Sequence, residues 1–182
     1  MTTYSGSSSI SPILTTAALN GLKIIAASLF LALASQASFI IPYTPILVTL
    51  QTAAIFLMGF KLGPVKAALA VILYLAEGVV GLPVFALGQS GFAILAGPKG
   101  GFYLGFILTA FISGYARKEH PIPRLFITFM LANAATYAIG LPWLAMWVGE
   151  KQVLLLGLYP FLLGDILKVA ATTSLIKGLN KI

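Results

Sequence analysis

"PFLLGDILKVAATTSLI", from Pro160 to Ile176, is an apolar run interrupted by an acid and a base three residues apart. Pro160 suits the first turn of a helix, where its missing N–H leaves nothing unpaired. A helix from Pro160 to Asn180 is about 31 Å long, enough to cross the hydrocarbon core of a bilayer. Within it, Asp165 and Lys168 share one face through their i, i+3 spacing. Each would cost roughly 2.5–3.5 kcal/mol near the centre of a lipid-facing helix, so both are expected to turn into a bundle. Two readings follow: a structural ion pair binding this helix to its neighbours, or part of a ligand site.

The rest of the chain supports the membrane reading. Of 182 residues, 59% are hydrophobic and only 8% charged, with a mean hydropathy of +1.02. Soluble domains carry roughly 25% charged residues. The apolar runs are continuous rather than alternating, which favours helices over a β-barrel. With no cysteine there is no disulfide or thiolate chemistry, and one histidine with four acids makes a multi-ligand metal site improbable. No cofactor is expected. The polar, Ser-rich start predicts a disordered tail over residues 1–13, followed by one membrane domain over 14–182.

Six apolar segments are predicted as spans: about Leu14–Ile41, Pro45–Phe60, Val65–Val80, Phe102–Ala116, Leu125–Trp147 and Pro160–Asn180. With the N-terminus inside, Lys61, Lys66, Arg117, Lys118, Arg124, Lys177 and Lys181 are all cytoplasmic, against Lys99 and Lys151 outside. That distribution fits the positive-inside rule and explains the +7 charge without nucleic acid. Trp143 and Trp147 fall where an outer aromatic belt would lie. The outer connections Ile41–Thr52 and Gly81–Gly101 are apolar yet rich in Gly and Pro. Irregular backbone at membrane depth is tolerated only when buried in protein or lining a cavity. Together they predict an outward-facing pocket roofed by both loops, level with Asp165 and Lys168.

Other polar residues carry two readings each. Glu77 lines the cavity or reaches the outer interface. Gln51 binds ligand or makes an interhelical hydrogen bond. Lys23 snorkels. "GQSG" (Gly88–Gly91) resembles the nucleophile motif of rhomboid proteases, but Ser90 is expected outside and the single histidine, His120, inside, so serine catalysis is disfavoured. No glycine is followed by lysine, so a G-x-x-x-x-G-K phosphate loop is absent and uphill transport would need a partner or an ion gradient.

Four elements occur in order. "PILVTLQT" (Pro45–Thr52) resembles P-x-V-T-L-Q; "YLAEGVVGLPVFA" (Tyr74–Ala86) resembles a third span ending G-L-P-V-F-A. "GPKGGFYLGF" (Gly97–Phe106) resembles G-P-T-G-G-Y-L-x-G-F, with Lys99 for Thr and Phe102 for Tyr. "PFLLGDILK" resembles P-F-L-P-G-D-x-x-K, with Leu163 for Pro. These are elements of the BioY family, the biotin-specific S components of energy-coupling factor (ECF) transporters. The resemblance implies six helices, biotin as ligand, a membrane T component and a pair of ABC-type ATPases as partners, and a bacterial plasma membrane. By position it implies Asp165, Lys168 and Gln89 as binding residues. Ser90, Gln51, Glu77, Tyr43, Phe85 and Phe92 complete the candidates around the pocket. The family's first helix meets the T component through small residues, here Ser28 and Ala32, or Ala34 and Ser38.

The residue chemistry suits that ligand. A ureido ring offers N–H donors and a C=O acceptor, matching an ionised Asp165 that accepts and a Lys168 that donates. Val84, Phe85 and Phe92 are expected as apolar walls, and the ligand carboxylate meets Ser90, the Gly-rich loop or Lys168. Alternatives are an S component for another vitamin, a self-sufficient facilitator or ion-coupled carrier, and, last, an intramembrane enzyme.

Overall fold

A computed structural model describes residues 10–179. The order is α1 (Ile10–Gln36), β1 (Ser38–Ile40), β2 (Leu47–Thr49), α2 (Gln51–Leu62), α3 (Pro64–Val79), a 3₁₀ turn at Ala86–Gly88, α4 (Phe92–Ala96), α5 (Gly100–Ser113), α6 (Ile122–Val148), α7 (Glu150–Gly157) and α8 (Tyr159–Leu179). Each of the six predicted spans contains a helix. Three segments, Thr15–Gln36, Ile122–Val148 and Glu150–Gly178, are long and apolar enough to cross a membrane. Helices α2, α3 and α5 are shorter. Residues 10–13, expected as tail, begin α1; residues 1–9 of that tail lie outside the described residues.

The first outer connection is not irregular. Ser38–Ile40 and Leu47–Thr49 pair antiparallel, Phe39 opposite Val48. The hairpin satisfies its own backbone, which is why the first helix stops at Gln36 rather than Ile41 and the second starts at Gln51 rather than Pro45. Pro42 and Pro45, which cannot donate to a ladder, sit in the connection between the strands. Thr44 donates through Oγ1 to the carbonyl of Leu156 at 2.5 Å, tying the hairpin tip to α7. The connection Gly81–Gly101 contains α4, and the one between α6 and α8 carries α7.

The interior is built around α5. It packs on α2 and α3 on one side and on α6 on the other, while α2 also reaches α8. One core joins α1, α2, α3 and α5 through Leu31, Ile55, Val71, Tyr74 and Ala110. A second joins α2, α6 and α8 through Phe56, Leu125, Phe129, Val169 and Ile176. The α5–α6 contact is backbone-close: a Cβ on Gly105 would lie 2.8 Å from the Cα of Thr136. The α2–α3 corner turns at Gly63 (φ 78), with Pro64 opening α3. Large apolar side chains, among them Leu22, Leu33, Ile127, Leu131, Leu163 and Leu167, face outward. A surface this apolar suits lipid or protein rather than water.

Candidate functional site

A pocket opens where the N-terminal parts of α2, α5 and α8 meet the middle of α6 beside β2 and Ala86. Each element presents one face to it. From α8 come Phe161, Asp165 and Lys168, at i, i+4 and i+7. From α6 come Asn133, Thr136 and Tyr137, at i, i+3 and i+4. Helix α5 adds Phe102, Tyr103 and Phe106, and Lys99 stands just before it. Thr49, Gln51 and Thr52 close the side nearest the hairpin.

Asp165 is the centre of one polar pole. Its Oδ2 accepts from Asn133 Nδ2 at 2.9 Å and, in a short bond, from the Tyr137 hydroxyl. Its Oδ1 accepts from Lys168 Nζ at 3.2 Å. Both charged side chains are mostly buried, Lys168 14% and Asp165 8% exposed. Desolvation of such a pair is offset only with good geometry and further hydrogen bonds, which Asn133 and Tyr137 supply. Two lysine N–H groups remain beyond the one bound to Asp165. The buried Oδ1 of Asn133 and Oγ1 of Thr52 have no partner among the described residues. Polar atoms left this way at a pocket wall suit a ligand with its own donors and acceptors.

A second polar group on the same lining comes from the residue just before α5. Lys99 Nζ donates to Gln89 Oε1 at 3.2 Å. Burial lowers the proton affinity of the Lys99 ammonium below its usual range. Gln51 lies in a third network, donating through Nε2 to Tyr74 Oη at 2.8 Å while accepting from Thr49 Oγ1 at 3.0 Å. It thus makes an interhelical bond and lines the pocket together.

The structure therefore brings Asp165, Lys168 and Gln51 to one pocket, with Gln89 behind Lys99. It does not bring the other candidates there. Phe85 is fully buried one layer back, 4.9 Å from Tyr103 and 5.5 Å from Tyr74 between ring centroids, with its ring against Gly78. The carbonyl of Val84 is taken by Ser35 Oγ at 2.6 Å. Tyr43 is 95% exposed at the hairpin tip and Phe92 68% exposed on α4, so neither is a wall; Ser90 also lies off the lining. Glu77 turns towards α1 and accepts from Ser28 Oγ at 2.8 Å.

That bond also bears on the small residues expected to meet a T component. Ser28 is fully buried, facing α3 rather than outward. Ala32 and Ala34 pack partly against the first core. Ser38 lies in β1, beyond the end of the helix, so Ala34 and Ser38 do not form a helical pair. Asn133, Thr136 and Tyr137 are among the pocket residues that sequence reasoning missed, as are Lys99 and the aromatics of α5. The signal of the first three was a polar stripe at i, i+3 and i+4 within an apolar span.

Comparison with known proteins bears on the whole chain. The family model described as the BioY family matches residues 9–182. A probable biotin transporter BioY of Pyrococcus horikoshii is 34% identical over 154 residues, 84% of this chain and 93% of that protein. The biotin transporter BioY of Thermotoga maritima is 33% identical over 163 residues, 88% of this chain and 96% of the relative. Among solved structures, the crystal structure of the S component for biotin from an ECF-type ABC transporter superposes with a TM-score of 0.79. That match covers 97% of this chain and 96% of the other at 23% identity, and so speaks to the fold.

Proposed function

The chain belongs to the BioY family, and on that premise we propose that it is the membrane-embedded S component that captures biotin for uptake and catalyses no reaction itself. The observation that carries this reading is the pole around Asp165. A ureido group needs acceptors for two N–H groups and a donor for its carbonyl. Asp165 Oδ1 and the unpartnered Oδ1 of Asn133 are acceptors, and Lys168 has N–H groups to spare. Phe102, Tyr103, Phe106 and Phe161 give a thiophane ring and an aliphatic chain apolar walls.

The protein is a multi-pass membrane protein, with apolar helices matched to a bilayer. In our reading six helices span the plasma membrane of a bacterial cell, both termini are cytoplasmic, and the pocket opens outward. No P-loop is present to hydrolyse ATP. Uptake then depends on a membrane T component and, through it, on a pair of ABC-type ATPases, in keeping with the transporter class of the matching crystal structure.

Titration calorimetry on the purified protein tests the ligand. Saturable one-to-one binding of biotin, with none of thiamine or riboflavin, is expected. Binding of another vitamin in place of biotin would make this an S component of different specificity. Biotin accumulation in cells lacking the ATPases would favour the self-sufficient carrier instead.

A further inference from the structure

The charges of the pocket do not cancel. Its lining holds two lysines and one acid. Lys168 has that acid as its partner. Asp165 is in turn engaged by Asn133 and Tyr137, so its charge is not available elsewhere. Lys99 has only a neutral partner, the amide oxygen of Gln89. Among the described residues no carboxylate lies within ion-pair distance of it. A partly buried cation without a counter-charge is unfavourable, and an anion arriving in the pocket would relieve that cost.

Lys99 immediately precedes α5, where the helix dipole adds to positive potential. It lies on the loop preceding α5, whereas the Asp165 pole is formed by α6 and α8. Pocket aromatics from α5 and α8 lie among these groups. A ligand that carries both a neutral polar head and an anion matches these two groups.

We propose that Lys99 is the specificity-determining residue that pairs with the ligand's carboxylate, and that the pocket thereby selects monoanionic ligands over their neutral analogues. This rests on the biotin reading. It assigns the carboxylate to Lys99 rather than to Ser90, the glycine-rich loop or Lys168. Lys99 stands where the resembling family element carries threonine, so the contact distinguishes this chain's pocket from one built on that element.

The test is a cycle of two ligands and three proteins: biotin and the uncharged biotinol, each titrated into the parent, Lys99→Met and Lys99→Arg. The parent is expected to prefer biotin by about 10- to 100-fold, the range of a charge-assisted hydrogen bond. Lys99→Met loses that preference to within about threefold while binding biotinol as the parent does, which also certifies its pocket as folded. Lys99→Arg keeps most of the preference. A Lys99→Met protein that still prefers biotin tenfold overturns the proposal, as does equal loss for both ligands. The same cycle on Lys168→Met assigns the carboxylate to Lys168 if the preference collapses there instead. If the parent binds neither ligand, the biotin reading itself falls, and this inference with it.

Discussion

Asp165 accepts from three donors within the protein, and this decides what its replacement does. Asp165→Asn keeps the shape but strands Lys168 without a counter-charge and weakens the acceptor. Losing one partner of a buried charge pair costs about 2–5 kcal/mol, so biotin affinity by calorimetry is expected to fall by roughly 30-fold to several thousand-fold. Tyr137→Phe removes one donor and leaves the ring packed edge-on to Phe102 at 6.2 Å. Hydrogen bonds to charged groups contribute about 1.5–3 kcal/mol, and the empty variant is expected to lose that much stability in thermal unfolding. If the pole were only structural, both variants would unfold earlier while binding biotin within about threefold of the parent. Asp165, Lys168 and Gln51 were legible because a charge or amide inside an apolar run has few reasons to be there. Asn133 and Tyr137 were not, since Asn among small residues reads as packing until the helix face is known. Glu77 was read as a pocket candidate because sequence gives its depth but not the face of α3 it occupies.

At the scale of elements, the pocket depends on how closely α5 approaches α6. Gly105 permits that approach, and a larger side chain there meets Thr136 backbone, which cannot swing aside. Gly105→Leu is expected to lower the unfolding temperature by the equivalent of about 1–3 kcal/mol or more. Because Thr136, Tyr137, Phe102 and Tyr103 flank the contact, biotin binding should weaken with it. Gly164→Ala, inside α8 with nothing within 4 Å of the added Cβ, is the control and should unfold no earlier than the parent. Both quantities come from melting curves with and without biotin. The six longer helices were readable from apolar runs, whereas α4 and α7, short pieces within connections, were not. The hairpin was not: Ser38–Ile40 and Leu47–Thr49 are too short to show an alternating pattern, and prolines at 42 and 45 suggested irregular chain. Ser38 was consequently placed on a helix that had already ended.

For the whole molecule, the distribution of basic residues predicts which ends of the bundle face the cytoplasm. The absence of cysteine lets single cysteines report this without background. Lys118→Cys is expected to resist an impermeant thiol reagent in intact cells, and Lys151→Cys to react; reaction at Lys118→Cys would invert the orientation. Charge distribution reads out well from sequence because it is set by composition of the loops. The meeting point of the four helices does not, because it depends on the crossing of elements far apart in the chain. That meeting point has a mechanical meaning. Biotin seated among α2, α5, α6 and α8, as proposed, would be a keystone: it would lean on four members at once, each braced through it against the others. Bound ligand stabilises the folded state by mass action, but here the stiffening is spread over the arch rather than over one joint. Unloading the cargo and slackening the arch are then a single event. A machine that draws one of these helices aside has no need to act on the cargo itself.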